Sequence, residues 1–325
     1  MSDVLLSVRD MVVDFPTRHG LLRAVDHISF DLSRGEVLGL VGESGAGKSI
    51  TGAAIIGLIE PLGHISGGTV HLDGSRIDNL GMEEMRRIRG KRVGMVFQDP
   101  LTSLNPLYTI AKQLIQTIRT HLDLTEKQAR ARAIGLLEEV GIPAADKRID
   151  DYPHQFSGGM RQRVVIALAL CAGPELIIAD EPTTALDVSV QSQIIDVLKR
   201  MCAEHGTAVI LITHDMGVIA EAADRVAVLY SGRIAEIGPV REVIKQAKHP
   251  YTKGLMRSIP TLTQTNDRLT QIPGTMPRIT DRPEGCAFAP RCGHVMDICR
   301  SQQPATRSVG NCKVACHLET EGGAS

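Results

Sequence analysis

An α/β fold is predicted by three features of the chain. A glycine-rich loop at residues 42–49 lies between an apolar run and a helix-compatible stretch; short apolar runs end in polar residues at 93–98, 176–181 and 208–215; and helical periodicity fills the intervals. The loop reads Gly42-Glu43-Ser44-Gly45-Ala46-Gly47-Lys48-Ser49, preceded by Val37-Leu38-Gly39-Leu40-Val41 and followed by a helical pattern from Ile50. That is the G-x-x-x-x-G-K-[ST] phosphate-binding pattern in its strand-then-helix setting. Its glycines let the backbone curl until successive N–H groups face phosphate oxygens, and the following helix adds the positive end of its dipole. Lys48 is expected to reach the β- and γ-phosphates and Ser49 to hold magnesium.

With 36 Lys+Arg against 37 Asp+Glu, the formal charge is -1, which excludes a role driven by a basic field, and no nucleic-acid partner is expected. The one basic knot, Arg86-Arg87-Ile88-Arg89-Gly90-Lys91-Arg92, reads as a solvated face. The start, Met1-Ser2-Asp3-Val4-Leu5-Leu6, lacks the basic and apolar regions of a signal peptide. No apolar run approaches the roughly 18 residues of a membrane span. A cytosolic protein, docked at any membrane by partners, is the expectation. Five of the seven cysteines lie between Cys286 and Cys316, which in a cytosolic chain points to metal before disulfides.

Along the chain, residues 4–36 alternate as β-structure, with Leu6, Val8, Val13, Phe15, Ile28, Phe30 and Leu32 on the apolar positions. Phe15 is a candidate for stacking on adenine and equally a core phenylalanine. Residues 67–74 read as a short strand closed by a turn. The strand Val93-Gly94-Met95-Val96-Phe97 ends at Gln98, where ligands bind in α/β sheets, so Gln98 is either a magnesium or water contact or a loop residue bonded to backbone. Ile110, Leu114, Ile115 and Ile118 start a helical insertion, and Thr125 with Gln128 forms a capping box. Ser157-Gly158-Gly159 then precedes a helical run, a second helix terminus suited to an anion.

Leu176-Ile177-Ile178-Ala179 ends at Asp180-Glu181. Asp180 is expected as the outer partner of the magnesium, and Glu181 as the group that polarises the attacking water. Thr184-Ala185-Leu186-Asp187 opens the next helix, and the strand at 208–213 ends at His214, a candidate contact to the γ-phosphate or to Glu181. Residues 226–237, centred on Ser231-Gly232, read as a hairpin.

This order of motifs resembles the ATP-binding subunits of ABC transporters over about residues 4–245. The resemblance implies a P-loop, RecA-like sheet with an antiparallel β subdomain (1–245), a helical subdomain near 100–172, and a small cysteine-containing extension (246–325). It also implies ATP and Mg2+ as ligands and a head-to-tail dimer. Phe15, residues 42–49 with Ile50, Gln98, Asp180, Glu181 and His214 would serve the chain's own nucleotide, and Ser157, Gly158 and Gly159 the neighbour's. The signature departs from the family's Leu-Ser-Gly-Gly-Gln in reading Phe156-Ser157-Gly158-Gly159-Met160. Phe15 stands where tyrosine is commoner.

A narrower resemblance, to the ATPases of dipeptide and oligopeptide importers, a group that includes nickel importers, rests on Gln98-Asp99-Pro100, Thr102-Ser103-Leu104-Asn105-Pro106, His249-Pro250-Tyr251-Thr252 and the cysteine-bearing tail after Ile272-Pro273-Gly274. It implies a second related ATPase chain, two integral-membrane permeases, an extracytoplasmic peptide-binding protein, and a peripheral position on the cytoplasmic face of the membrane. The ATPase of a nickel importer and a soluble ABC-type ATPase not linked to transport are the alternatives. In the tail, Pro250, Pro260, Pro273, Pro277, Pro283, Pro290 and Pro304 forbid long elements, and a loop-rich unit needs a staple. The gaps between Cys286, Cys292 and Cys299 are wider than those of zinc knuckles. Zinc, an iron–sulfur cluster and plain reduced thiols are all open on spacing alone. The resemblance favours a [4Fe-4S] cluster on Cys286, Cys292, Cys299 and Cys316, with Cys312 spare.

Overall fold

A computed structural model describes residues 3–18, 20–184, 187–258 and 271–319. Ala185 and Leu186 of the Ala-Leu-Asp motif, and Pro260 of the tail, lie outside the described residues. The elements begin with β1 (Val4–Thr17), β2 (Gly20–Ser33), β3 (Val37–Val41), α1 (Lys48–Ile55), β4 (His64–Leu72), β5 (Ser75–Arg76), α2 (Met82–Ile88) and β6 (Val93–Val96). A helical stretch follows: α3 (Pro100–Ser103), α4 (Ile110–His121), α5 (Glu126–Glu139), α6 (Ala145–Arg148) and α7 (Gly158–Leu170). Then come β7 (Leu176–Asp180), α8 (Val188–His205), β8 (Ala208–Ile212), α9 (Met216–Ala222), β9 (Arg225–Tyr230), β10 (Arg233–Pro239) and α10 (Val240–Lys245). The remainder holds α11 (Pro250–Arg257), α12 (Asp297–Ser301), β11 (Arg307–Val309) and β12 (Cys312–Val314). No helix among the described residues is long and apolar enough to cross a membrane.

Two compact units share these elements. The first comprises Met1–Leu5, Leu32–Val37 and Asn79–Ile212. Its strands β6, β7 and β8 are parallel, with Val93 opposite Leu176 and Leu176 opposite Ala208. Leu176, Ile177, Ile178 and Ala179 are fully buried, as expected of continuous apolar runs covered on both faces. In α4 the stripe Ile110, Leu114 and Ile118 is buried. Thr125 accepts the Gln128 N–H at 3.4 Å while the Gln128 side chain accepts the Thr125 N–H at 3.0 Å, so the capping box expected from sequence starts α5. Within the basic knot Arg86 and Arg87 are exposed, but Arg92 is half-buried and bonds Glu175 at 2.6 Å, so one member of the knot is structural.

The second unit comprises Leu6–Asp31, Leu38–Asp78 and Thr213–Ser325. One of its sheets runs β2-β1-β4-β5. Here β4 starts at His64, before the glycines at which the sequence predicts it to open. Pairing with β1 carries the strand through Gly67 and Gly68, with register shifts between Arg9 and Val13 that mark a bulge. In the other sheet β3 lies parallel to β9, and β9 forms an antiparallel hairpin with β10. The hairpin turn Ser231-Gly232 has φ of 47° and 80°, both positive, as a tight two-residue turn requires. The tail contributes β12, which pairs with β10 through Glu236 opposite Val314, and β11, which pairs with β12. Short strands of three residues carry no periodicity, so the sequence predicts no strand there; β10 supplies the template that orders them.

A buried ion network ties the tail to this unit. Asp26 accepts from Arg233 Nε at 2.7 Å and Arg282 Nη1 at 2.8 Å, and lies 2.8 Å from His27 Nδ1. Burial works against its ionisation, but the His27 hydrogen bond and the Arg233 and Arg282 charges outweigh burial and hold the carboxyl below its ordinary range. A carboxylate with a depressed folded pKa stabilises fully above its unfolded value of about 4 and loses that contribution as pH falls through the folded value. Asp26→Asn is therefore expected to lower stability at pH 7 and to lessen the loss of stability on going from pH 5 to pH 2, measured by denaturant titration at each pH.

Candidate active site

The phosphate loop belongs to the second unit. Gly42, Gly45 and Gly47 have φ of 153°, 80° and 99°, a backbone that L-residues rarely adopt. Packing adds a second constraint at Gly47, where a Cβ would stand 2.9 Å from the Ala24 carbonyl oxygen. Gly47 is the residue before α1, so the loop ends on a helix N-terminus. Lys48 is 6% exposed, and its Nζ donates to the carbonyls of Gly42 at 2.8 Å and Glu43 at 3.1 Å. The ammonium thus closes the loop on itself and lies inside the ring of backbone that a phosphate would enter. Ala46 is buried, Ser44 and Gly45 are exposed, and Ser49 and Ile50 lie in the first turn of α1.

Two contacts on the loop have no local signal in the sequence. The Glu43 N–H donates to the Tyr251 hydroxyl at 3.0 Å, and the Glu43 carboxylate accepts from Arg291 Nη1 at 2.9 and 3.0 Å. Both partners are more than 200 residues away in the chain. Phe15, on β1, is half-buried with its ring against Gly63. His214 follows β8 and is exposed, just before Asp215 caps α9.

The first unit carries the remaining residues. Gln98 Nε2 donates to Glu181 Oε2 at 3.0 Å, and the Thr184 hydroxyl donates to the same oxygen at 2.8 Å. Glu181 has a left-handed backbone, φ 47°, which costs a non-glycine residue about 1–3 kcal/mol. Its N–H is fixed by the Ile212 carbonyl at 2.8 Å. Asp180 is the last residue of β7 and half-buried. Thus the structure joins Gln98 to Glu181 at the carboxyl ends of β6 and β7, with Thr184 a partner that sequence did not single out. Ser157 caps α7, its hydroxyl accepting the Met160 N–H at 3.4 Å. Gly158 and Gly159 form the first turn, and a Cβ on Gly159 would meet Val190 at 2.7 Å.

In the tail, Cys286, Cys292, Cys299 and Cys316 line one small cavity with His249, Phe288, His294 and His317. Burial, then the neighbouring thiols, push Cys286 up to about 11. Cys312 lies elsewhere, against Gly238 and with its thiol 3.9 Å from Glu242 Oε2. Among the described residues no group of three or more His, Cys, Asp or Glu side chains is placed to hold a metal ion.

Comparison with known proteins places these features in context. The family model described as ABC transporter matches residues 25–184, and that described as Oligopeptide/dipeptide transporter, C-terminal region, matches residues 235–299. The oligopeptide transport ATP-binding protein OppD of Bacillus subtilis is 48% identical over 92% of this chain and 84% of its own length. The dipeptide transport ATP-binding proteins DppD of Haemophilus influenzae and Escherichia coli are 44% and 43% identical, each over 96% of this chain and 95% and 96% of their own length. Among solved structures, the ATP-binding cassette MJ0796 in a post-hydrolysis state bound to ADP and Pi superposes with a TM-score of 0.66 at 27% identity, covering 73% of this chain and 99% of that one. For cbiO1 of Clostridium perfringens, part of the ABC transporter complex cbiONQ, the TM-score is 0.65 at 29% identity, over 75% of this chain and 92% of that one.

Gly47→Ala adds a methyl where both φ and the Ala24 carbonyl forbid it. It is expected to destabilise the fold by about 1–3 kcal/mol, read as a lowered midpoint in thermal unfolding, and a midpoint equal to wild type would contradict the positive-φ geometry at this position.

Proposed function

The chain belongs to the ABC transporter ATPases that carry the oligopeptide/dipeptide C-terminal region, and on that premise we propose that it drives import of di- and oligopeptides across the cytoplasmic membrane through partner permeases. Its reaction is hydrolysis of ATP to ADP and phosphate. The observation that carries this reading is the phosphate loop whose positive-φ glycines and buried Lys48 surround the space before α1, in a chain whose tail matches the peptide-transporter region.

In this reading the loop amides and Lys48 bind the phosphates, residues 42–50 contact ATP, and Phe15 faces adenine. Oxygen donors on Ser49, Gln98 and Asp180 suit the hard ion Mg2+, which would neutralise phosphate charge. Glu181 acts as the base that polarises the attacking water, with Gln98 and Thr184 orienting its carboxylate. His214 bonds the γ-phosphate. Ser157, Gly158 and Gly159 bind the nucleotide of a second, related ATPase subunit, because a capped helix start with small residues leaves amides open to an anion. ATP held between two subunits favours their closure, and hydrolysis releases it. Residues 1–245 form the ATP-binding part and 246–325 the extension, as the resemblance implies.

Two further parts of the reading have their own support. Phe97, Leu101, Leu107 and Tyr108 are 45%, 62%, 80% and 40% exposed, and clustered apolar exposure of this kind marks an interaction surface. It supports docking of the permeases, and with them a peripheral position on the cytoplasmic face and an external peptide-binding protein upstream. For the cysteines, a cavity lined by four thiols supports the reading of a [4Fe-4S] cluster, in which each iron takes one thiolate. Bound there, the cluster would staple a loop-rich segment.

Glu181→Gln keeps size and hydrogen bonding but removes the base. A fall of about 10²–10⁴ in ATP turnover with nucleotide affinity retained is expected in the assembled transporter; full-rate turnover would assign hydrolysis to the partner subunit. The chain purified without air should be brown, with broad visible absorption and stoichiometric iron, and colourless protein would remove the cluster.

A further inference from the structure

Glu43 is the second residue of a loop built to receive phosphate, so its negative charge opposes the ligand the loop binds. The second unit contains the compensation. Arg291 Nη1 engages both carboxylate oxygens at 2.9 and 3.0 Å, and the Arg291 side chain is only 6% exposed. It is held in turn: Nε donates to the Pro273 carbonyl at 2.9 Å, and Nη1 lies 3.4 Å from the Tyr230 hydroxyl. The Glu43 backbone is fixed from two directions, by its N–H on the Tyr251 hydroxyl and its carbonyl on Lys48 Nζ. Tyr251 is fully buried, packed 4.5 Å from Tyr230 and 5.4 Å from Phe288 between ring centroids. A third point is Met276, whose Cε would stand 3.3 Å from a Cβ at Gly45. The three contacts that reach the loop, from Tyr251, Met276 and Arg291, all come from residues 251–291, past the strands and helices that carry the nucleotide motifs.

From this geometry, and resting on the ATP reading above, we propose that the extension completes the phosphate site: Arg291 neutralises Glu43 and Tyr251 anchors its amide, making both positioning residues for nucleotide binding. Neither need touch ATP. Removal of the Arg291 charge leaves an uncompensated carboxylate on the loop that binds the polyphosphate, a repulsion that is relieved when the carboxylate itself is removed. A purely structural role for Arg291 gives no such rescue.

The test is equilibrium binding of a fluorescent MANT-labelled ATP with magnesium to the full chain, each variant being checked for cooperative thermal unfolding. Lys48→Ala controls for the ATP reading. Arg291→Gln is expected to weaken binding about tenfold or more, Arg291→Gln combined with Glu43→Gln to recover most of that loss, and Tyr251→Phe, which keeps the ring, to weaken it about two- to tenfold. The recovery should shrink as salt is raised, because the repulsion is screened. Wild-type binding that is lost in Lys48→Ala but unchanged in Arg291→Gln and Tyr251→Phe would overturn this inference alone. Equal weakness of Arg291→Gln with and without Glu43→Gln would overturn the charge compensation. If Arg291→Gln does not unfold cooperatively, Tyr251→Phe decides. No binding by wild type, or undiminished binding by Lys48→Ala, would instead overturn the ATP reading.

Discussion

The inward curl of the backbone at residues 42–47 is the constraint on which the rest of the site depends. Glycine adopts the positive φ at positions 42, 45 and 47 without steric cost, and the packing leaves no room for a side chain at two of them. A Cβ at Gly42 would collide with the Leu229 carbonyl, and one at Gly47 would approach that of Ala24. The Gly232 N–H donates to the Ala46 carbonyl at 2.9 Å, while the Gly232 carbonyl accepts the Asp26 N–H at 2.8 Å. The hairpin turn between β9 and β10 therefore grips the back of the loop, and the Asp26 network grips the turn. Lys48 holds the inner side through two loop carbonyls, so the amides are arranged before any ligand arrives.

Chemistry and binding draw on different parts of the chain. Around Glu181, strain in the backbone and two hydrogen bonds to one carboxylate oxygen fix a carboxylate just past the end of a buried strand. Around the phosphate loop, Lys48 holds the Glu43 carbonyl from inside and Arg291 pairs with the Glu43 carboxylate. Placing that arginine one residue before Cys292 makes the cysteine-bearing tail a neighbour of the nucleotide site, although the two are separated in sequence by more than 200 residues.

Much of this was legible because local physics wrote it locally. A Gly-rich turn, a Ser or Thr cap and an apolar run each act over a few residues, so residues 42–49, the Thr125–Gln128 box, the Ser157 cap and the Ser231-Gly232 turn stand in the sequence as they stand in the fold. Cys286, Cys292, Cys299 and Cys316 line one cavity while Cys312 lies elsewhere, a grouping that spacing alone left open. What stayed hidden is long-range. The early start of β4 comes from pairing with β1, and strands β11 and β12 exist because β10 offers an edge. Arg291 and Tyr251 have no motif that announces Glu43 as their partner, since hydrogen bonds across the fold leave no periodicity in a single sequence.

The central claim, that ATP bound at this loop energises peptide entry, is tested most directly by the accumulation of a radiolabelled dipeptide in cells lacking the chain and complemented with wild type or Lys48→Ala. Uptake restored by wild type and absent with Lys48→Ala, at equal expression of both, is the expected result. Undiminished uptake in the deletion itself, or restoration by Lys48→Ala, would contradict it.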